Sequence, residues 1–284
     1  MARILIAGCG YVGTALACSL IGDGHEVWTL TRSESPVVTG ASGLRADLLD
    51  IAQLSVIPGE LDFVFYTAAS SGSLELNYRQ TYLLGLENLI KTLIPSSATL
   101  SRFFFTSSTS VYGQSQGEWV DETSATLPVD FRGRIMLEAE SLLLSAPFPA
   151  TAVRFSGIYG PGRERMIRLA KESKESADSG RFTNRIHRTD CAGVLRYLTT
   201  VPQPESRYLA SDNEPTSEQL ILNWIRQQLA LSPQELLVDL DLEGDSSASG
   251  RRCGNRKLLN AGYRFNYPTF REGYAPLLAV TAQS

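Results

Sequence analysis

The sequence predicts an α/β protein in which helices cover both faces of a parallel, doubly wound sheet, with a smaller C-terminal substrate domain attached. Three observations lead there. Short apolar runs, RILIA, EVWTL, FVFYTAA, RFFFTSS and TAVRFSGIY, recur between segments of helical periodicity at 11 to 22, 78 to 94 and 133 to 145. Runs this apolar suit strands buried on both faces, and strands alternating with helices pair in parallel through right-handed crossovers. The chain also opens on a strand, a glycine turn and a helix, RILIA-GCG-YVGTALACSLI.

Composition narrows the function classes. The chain has 284 residues, 43% hydrophobic and 20% charged, enough for one large core or two modest ones. Its net charge of −4 supplies no basic field for a phosphate backbone, so no nucleic-acid partner is expected. Cys9, Cys18, Cys191 and Cys253 form no CxxC pair, and only two histidines accompany them, so no metal site is expected and the thiols suit a reduced, cytoplasmic setting. Residues 4 to 22 carry no charge and could pass for a signal or a membrane span. Gly8, Gly10 and Gly13 break that run into strand, turn and helix, and no membrane partner is expected.

The first turn carries the first chemistry. Gly8, Gly10 and Gly13 have G-x-G-x-x-G spacing, with Tyr11 and Val12 between them. The three glycines allow a tight turn, close approach of main chain to a diphosphate, and close packing of helix on strand, while the helix N-terminus favours the negative charge. A nicotinamide dinucleotide is therefore the expected cofactor. The second strand ends in Thr31, Arg32 and Ser33, without a carboxylate at the tip. An arginine with two hydroxyls can take a 2′-phosphate by charge-assisted hydrogen bonds, so NADP is preferred. NAD stays open, because Glu34 could reach a ribose if the strand ends later. Asp47, after the third strand, could meet the adenine edge or simply be solvated. Ala68 and Ala69, at the end of the fourth strand, are small where ribose and nicotinamide must approach.

Six segments then line up in order: GCGYVG at 8 to 13, DFVFYTAA at 62 to 69, FFFTSSTSVYG at 103 to 113, VRFSGIYGPGR at 153 to 163, NRIHRTDCAG at 184 to 193 and KLLNAGYRFNYPTFREGY at 257 to 274. With these the chain resembles the extended short-chain dehydrogenase/reductase family, the NAD(P)-dependent sugar-nucleotide epimerases and dehydratases. The resemblance spans most of the chain. It implies a Rossmann-type domain over 1–158 and 186–212 and a smaller substrate-binding domain over 159–185 and 213–284. It also implies that Ser108, with Thr106 beside it, holds a substrate oxygen next to the nicotinamide. The family's helices corresponding to 78 to 94 and 133 to 145 are those through which members dimerise, so a homodimer is allowed by analogy.

The resemblance breaks in PVDFRGRIMLEAE. The family has Y-x-x-x-K there, a tyrosine that exchanges the proton and a lysine that assists it. This chain has Arg132 and Met136 at those positions. A guanidinium does not give up its proton, so Arg132 is no replacement acid. Three readings follow. Another phenol takes over, with Tyr112, Tyr66 and Tyr159 as candidates, Tyr112 and Tyr159 being open also to a role as rings packed under the site; or the chain binds dinucleotide without turning it over, as a sensor; or Arg132 grips an anionic substrate group. The catalytic candidates are thus Ser108, Tyr112 and Arg132, in an NAD(P)-dependent epimerase/dehydratase- or reductase-like protein acting on a nucleotide sugar or related carbohydrate. Arg154, Arg163, Arg165, Arg185, Arg188, Arg251 and Arg252 could border a cleft and hold its phosphates, or be solvated. Asp190 is expected to cap the helix that follows it, and His187 to be packed or solvated.

Overall fold

The computed structural model describes residues 1–32, 38–172, 180–229 and 249–281. Seven strands form the main sheet: β1 (Arg3–Ala7), β2 (Glu26–Thr31), β3 (Ser42–Arg45), β4 (Phe63–Tyr66), β5 (Arg102–Ser108), β7 (Ala150–Phe155) and β11 (Arg207–Ala210). Their order is β3-β2-β1-β4-β5-β7-β11, and each pairing is parallel. The order reverses between β1 and β4, which opens a crevice at their carboxyl ends.

Both faces of the sheet are covered, and alternate residues of a strand serve opposite cores. Leu5 and Ala7 of β1 join Phe103 and Phe105 of β5 on one side. That side is closed by α3 (Gly85–Leu93) and α4 (Phe131–Leu144), through Leu86, Leu89, Met136 and Ala139. Ile4 and Ile6 face the other side with Phe65 and Phe104, under α1 (Tyr11–Gly22) and α6 (Arg188–Leu198). This is why the strands read as unbroken apolar runs.

The segment expected as a helix over 78 to 94 is α2 (Glu75–Arg79), a π turn (Gln80–Leu84) and α3 in succession. Tyr66 lies against this turn and donates its hydroxyl to the Thr81 carbonyl.

The smaller part contains β8 (Gly157–Tyr159) paired in parallel with β10 (Arg185–His187), and a four-stranded sheet. Its members are β6 (Gln116–Val120), β9 (Arg181–Thr183), β12 (Thr216–Ser217) and β13 (Ser249–Cys253). The expected boundary at 158 therefore cuts across this sheet, because β6 leaves the carboxyl end of β5 and pairs with β13 before the chain returns through α4. A third core lies among α5 (Arg165–Glu172), α7 (Glu218–Gln228) and α9 (Phe270–Thr281), built from Met166, Ile167, Ile221, Ile225, Phe270 and Tyr274. The short α8 (Arg256–Asn260) sends Leu258 back to the sheet's own core.

Asp190 does not cap the helix as expected. The helix starts two residues earlier, at Arg188, and His187 caps it by accepting from the Thr189 amide through Nδ1. Burial holds the His187 imidazole below its usual range, which keeps that nitrogen free to accept. Asp190, fully buried, instead accepts from the Asn266 and Tyr267 amides and the Tyr263 hydroxyl, fastening the C-terminal segment to the sheet.

Candidate functional site

The turn after β1 meets the end of β4 where the strand order reverses. Gly8 has φ +94°, and a Cβ there would lie 2.3 Å from the Ala68 main chain. A Cβ on Gly13 would lie 2.5 Å from the Gly8 carbonyl oxygen, which already accepts from the Thr67 hydroxyl at 2.7 Å. These two glycines are required by packing alone. Gly10 differs, because a Cβ there meets nothing within 4 Å. Next to that open space the first turn of α1 has no side-chain cap and no acidic residue. Uncapped amides beside a bare glycine fit a dinucleotide diphosphate.

A cleft of about 640 Å³ runs from this turn along the sheet edge. It is lined by Gly8, Gly10, Tyr11, Val12, Thr31, Arg32, Asp47, Ala68, Ala69, Thr106, Ser108 and Arg132, so the structure brings together most of the residues singled out in the sequence. Gly13 lies beneath the turn rather than on the lining, and Ser33 lies outside the described residues. Tyr11 donates its hydroxyl to the Pro161 carbonyl at 3.0 Å, and Arg163 and Arg188 sit 4.1 and 4.6 Å from its ring centroid. Asp47 turns its Oδ1 to the Leu49 amide.

At the far end, β5 delivers the hydroxyl run. Thr106 donates to the Tyr66 carbonyl, and Ser108 accepts from the Ser110 amide at 3.1 Å, fixing the turn that follows the strand. Ser107 points the other way and donates to Glu140 at 2.6 Å. That carboxylate, fully buried, also takes Arg154 at 2.9 and 2.7 Å and Arg207 at 3.2 Å. Arg154 therefore belongs to a buried network and not to a phosphate site.

Tyr112 is not in the cleft. Its side chain is 1% exposed, and its hydroxyl donates to the Asp121 carbonyl and accepts from Arg154. Burial, only partly opposed by Arg154, pushes the phenol up to about 12. Of the two roles the sequence left open to Tyr112, the structure shows the packed ring, held by Arg154 and Asp121. Tyr66 is fully buried and committed to the Thr81 carbonyl, and Tyr159 is buried against Tyr274 at 4.5 Å and edge-on to His187 at 5.3 Å. Burial raises both of these phenols as well.

Arg132 and Met136 both line the cleft from α4, whose first turn Asp130 caps through the Gly133 amide at 3.0 Å. Two tyrosines missed in the sequence line it too. Tyr78 and Tyr82 stand one helical turn apart, a spacing visible in ELNYRQTYLL although nothing there marks which face meets the cleft.

A second cavity, of about 750 Å³, adjoins the cleft, and Ile158 and Arg163 line both. Arg165, Arg168 and Arg185 also line it. Arg185 is 6% exposed, donates Nη2 to the Thr183 hydroxyl, and leaves Nη1 without a partner. Arg188 reaches the Tyr11 ring instead, Arg251 donates to the Tyr112 carbonyl, and Arg252 lies 4.0 Å from the Phe182 ring centroid. Among the described residues no group of three or more His, Cys, Asp or Glu side chains gathers to hold a metal ion, and no helix is long and apolar enough to cross a membrane.

The sheet order, the glycine turn at its reversal point and the uncapped helix define a dinucleotide-binding protein of the doubly wound class. Residues 4–188 match the model of the NAD dependent epimerase/dehydratase family. The chain belongs to that family. It is 26% identical to Protein YeeZ of Escherichia coli (strain K12), over 94% of this chain and 97% of the relative. It is 28% identical to a 3 beta-hydroxysteroid dehydrogenase/Delta 5-->4-isomerase of Mycobacterium tuberculosis, over 76% of this chain and 66% of that one. A solved structure from Methylobacillus flagellatus, provisionally designated an NAD-dependent epimerase/dehydratase, superposes with a TM-score of 0.83 at 36% identity, covering 99% of both chains. MoeE5, solved with UDP-glucose and NAD, shares the fold with a TM-score of 0.80 at 22% identity, covering 99% of both chains.

Proposed function

We propose that the chain is an NAD(P)-dependent epimerase, dehydratase or reductase acting on a nucleotide sugar or a related phosphorylated carbohydrate. The observation that carries this reading is the junction of the two cavities. The cleft that would take a dinucleotide shares Ile158 and Arg163 with an arginine-lined cavity. Arg185, one of the residues that line that cavity, leaves one buried guanidinium nitrogen without a hydrogen-bond partner, a costly arrangement unless an anion or water satisfies it. The relative solved with UDP-glucose and NAD has the same fold.

In this reading the main-chain amides of Tyr11 and Val12 hold the cofactor diphosphate, Ala68 and Ala69 leave room for the ribose, and Asp47 meets the adenine. Arg32, exposed beside Thr31 at the end of β2, takes a 2′-phosphate, which favours NADP over NAD. The bound dinucleotide supplies hydride exchange at a substrate carbon. Ser108 orients the oxygen on that carbon, and Arg163, Arg165 and Arg185 hold the substrate's phosphates. The division of labour follows the expected domains, with β6 added to the substrate part.

Arg132 and Met136 on the cleft wall favour a second reading, a dinucleotide-binding sensor without turnover. The test saturates the protein with NADPH or NADH and screens pooled UDP-sugars and free carbonyl compounds by nicotinamide absorbance and by sugar epimer analysis. Turnover that Ser108→Ala abolishes supports the enzyme. Stoichiometric binding with no turnover, unchanged by Ser108→Ala, supports the sensor.

A further inference from the structure

Arg132 and Met136 line the cleft where the resemblance would place a tyrosine and a lysine, so some other group must handle a proton if it does chemistry. Among the described lining residues there is no lysine, no histidine and no glutamate. Asp47 stands with Arg32 at the β2–β3 end of the lining, away from Ser108. Cys9 is buried in the glycine turn with its thiol on Thr14, and burial raises it. Four tyrosines remain. Tyr11 is committed to the Pro161 carbonyl and Tyr66 to the Thr81 carbonyl. Tyr82 is mostly buried and accepts from the Ser70 amide.

Tyr78 is the exception. It comes from α2, is half-buried, and lines the cleft together with Ser108, Ser110 and Arg132. Among the described residues its hydroxyl makes no hydrogen bond. Its ring is fixed nonetheless. Phe131 packs edge-on at 5.6 Å and 88°, Tyr82 lies at 5.3 Å, and the Arg132 guanidinium carbon is 5.8 Å from the centroid. Arg132 itself is steadied by Phe131 at 4.9 Å and by Asp130 at 3.7 Å. A phenol with a free hydroxyl, a locked ring and a permanent cation against it stands in the cleft that also receives Ser108.

We propose that Tyr78 is the acid/base of this cleft and that Arg132 positions it, so that a tyrosine–cation pair is rebuilt with the tyrosine on α2 and the cation at the position the family gives to its tyrosine. The proposal rests on the enzymatic reading above. In the oxidising direction the substrate carbinol carbon loses hydride to the bound dinucleotide while the O–H proton passes to the Tyr78 phenolate oxygen and C=O forms. In the reducing direction the phenol returns that proton to the carbonyl oxygen as hydride is delivered. Arg132 neutralises the negative charge that develops beside it.

The test has two arms. In the first, the free protein is nitrated with tetranitromethane, with and without saturating NADP+, and modification is mapped by peptide mass. Tyr78 should be nitrated in the free protein and protected at least tenfold by the dinucleotide, whereas equal nitration in both states overturns the proposal. In the second, Tyr78→Phe should cut turnover of the pooled sugars at least about 100-fold, the low end for a positioned acid/base, while dinucleotide affinity stays within about threefold. Arg132→Gln should lower kcat with KM for the dinucleotide unchanged, and Arg132→Lys should restore part of it. Turnover that survives Tyr78→Phe overturns Tyr78 alone. Dinucleotide binding without any turnover in the unmutated protein overturns the enzymatic reading first.

Discussion

Gly8 and Gly10 lie two residues apart in one turn, and alanine at each should fail in opposite ways. At Gly8 the backbone is left-handed, which costs an L residue about 1–2 kcal/mol, and the new Cβ would lie 2.3 Å from the Ala68 main chain. Relieving that overlap adds about 1–3 kcal/mol, as for other overpacked sites. With an unfolding entropy of about 2 cal/mol/K per residue, the sum lowers the melting temperature of a 284-residue chain by roughly 3 to 8 °C. At Gly10 the Cβ enters open space, so stability should hold within about 1 kcal/mol, the scale of a weakened helix start. That same methyl would occupy the surface a diphosphate must touch. A cost of about 1–3 kcal/mol is a roughly 5- to 150-fold loss of affinity. Thermal melts and calorimetric titration with NADP+ on both variants read the two effects separately. A Gly10→Ala protein that melts normally and binds as well as the unmutated one would refute the placement of the diphosphate at this turn.

Removing the charge of Glu140 by Glu140→Gln strands the buried Arg154 guanidinium, which should cost about 3–5 kcal/mol and lower the melting temperature by roughly 5 to 8 °C; a shift within about 1 °C would show that the network contributes nothing. Burial, opposed by Arg185, pushes the Asp212 carboxyl up to about 8. The folded chain then keeps a proton that the unfolded chain releases above about pH 4, so stability falls as pH rises from about 4 to about 8, by about 1.4 kcal/mol per unit. Melts at pH 5 and pH 7.5 should show a smaller loss for Asp212→Asn than for the unmutated chain, and equal losses would contradict it. Arg32→Ala should weaken NADP+ about tenfold or more and leave NAD+ nearly unchanged, because only the former carries the phosphate; equal weakening of both dinucleotides would remove the case for NADP.

The glycine turn was legible because its chemistry is local. Strand, glycine spacing and helix follow within twenty residues, although the contact that requires Gly8 comes from Ala68 at the end of β4. The main strands were legible for a related reason, since burial on both faces leaves an apolar run that needs no partner to be recognised. Tyr112 was not legible. It follows the hydroxyl run in sequence, yet its place is decided by Arg154 and Asp121, 42 and 9 residues away. Asp190 misled similarly, because a carboxylate near a helix start reads as a cap until Asn266 and Tyr267 arrive to claim it. β6 pairs with β13 across more than a hundred residues, a contact that no periodicity announces. Tyr78 carries no local sign at all, because Phe131 and Arg132, which hold its ring, come from α4.

Calorimetric titration of the unmutated protein with NADP+ and NAD+ tests the dinucleotide cleft most directly. One molecule of dinucleotide per chain should bind saturably at micromolar to submillimolar concentration, with NADP+ the tighter of the two. No heat and no saturable uptake of either dinucleotide at millimolar concentration would mean that the space beside Gly10 serves some other ligand, and the enzymatic reading would go with it.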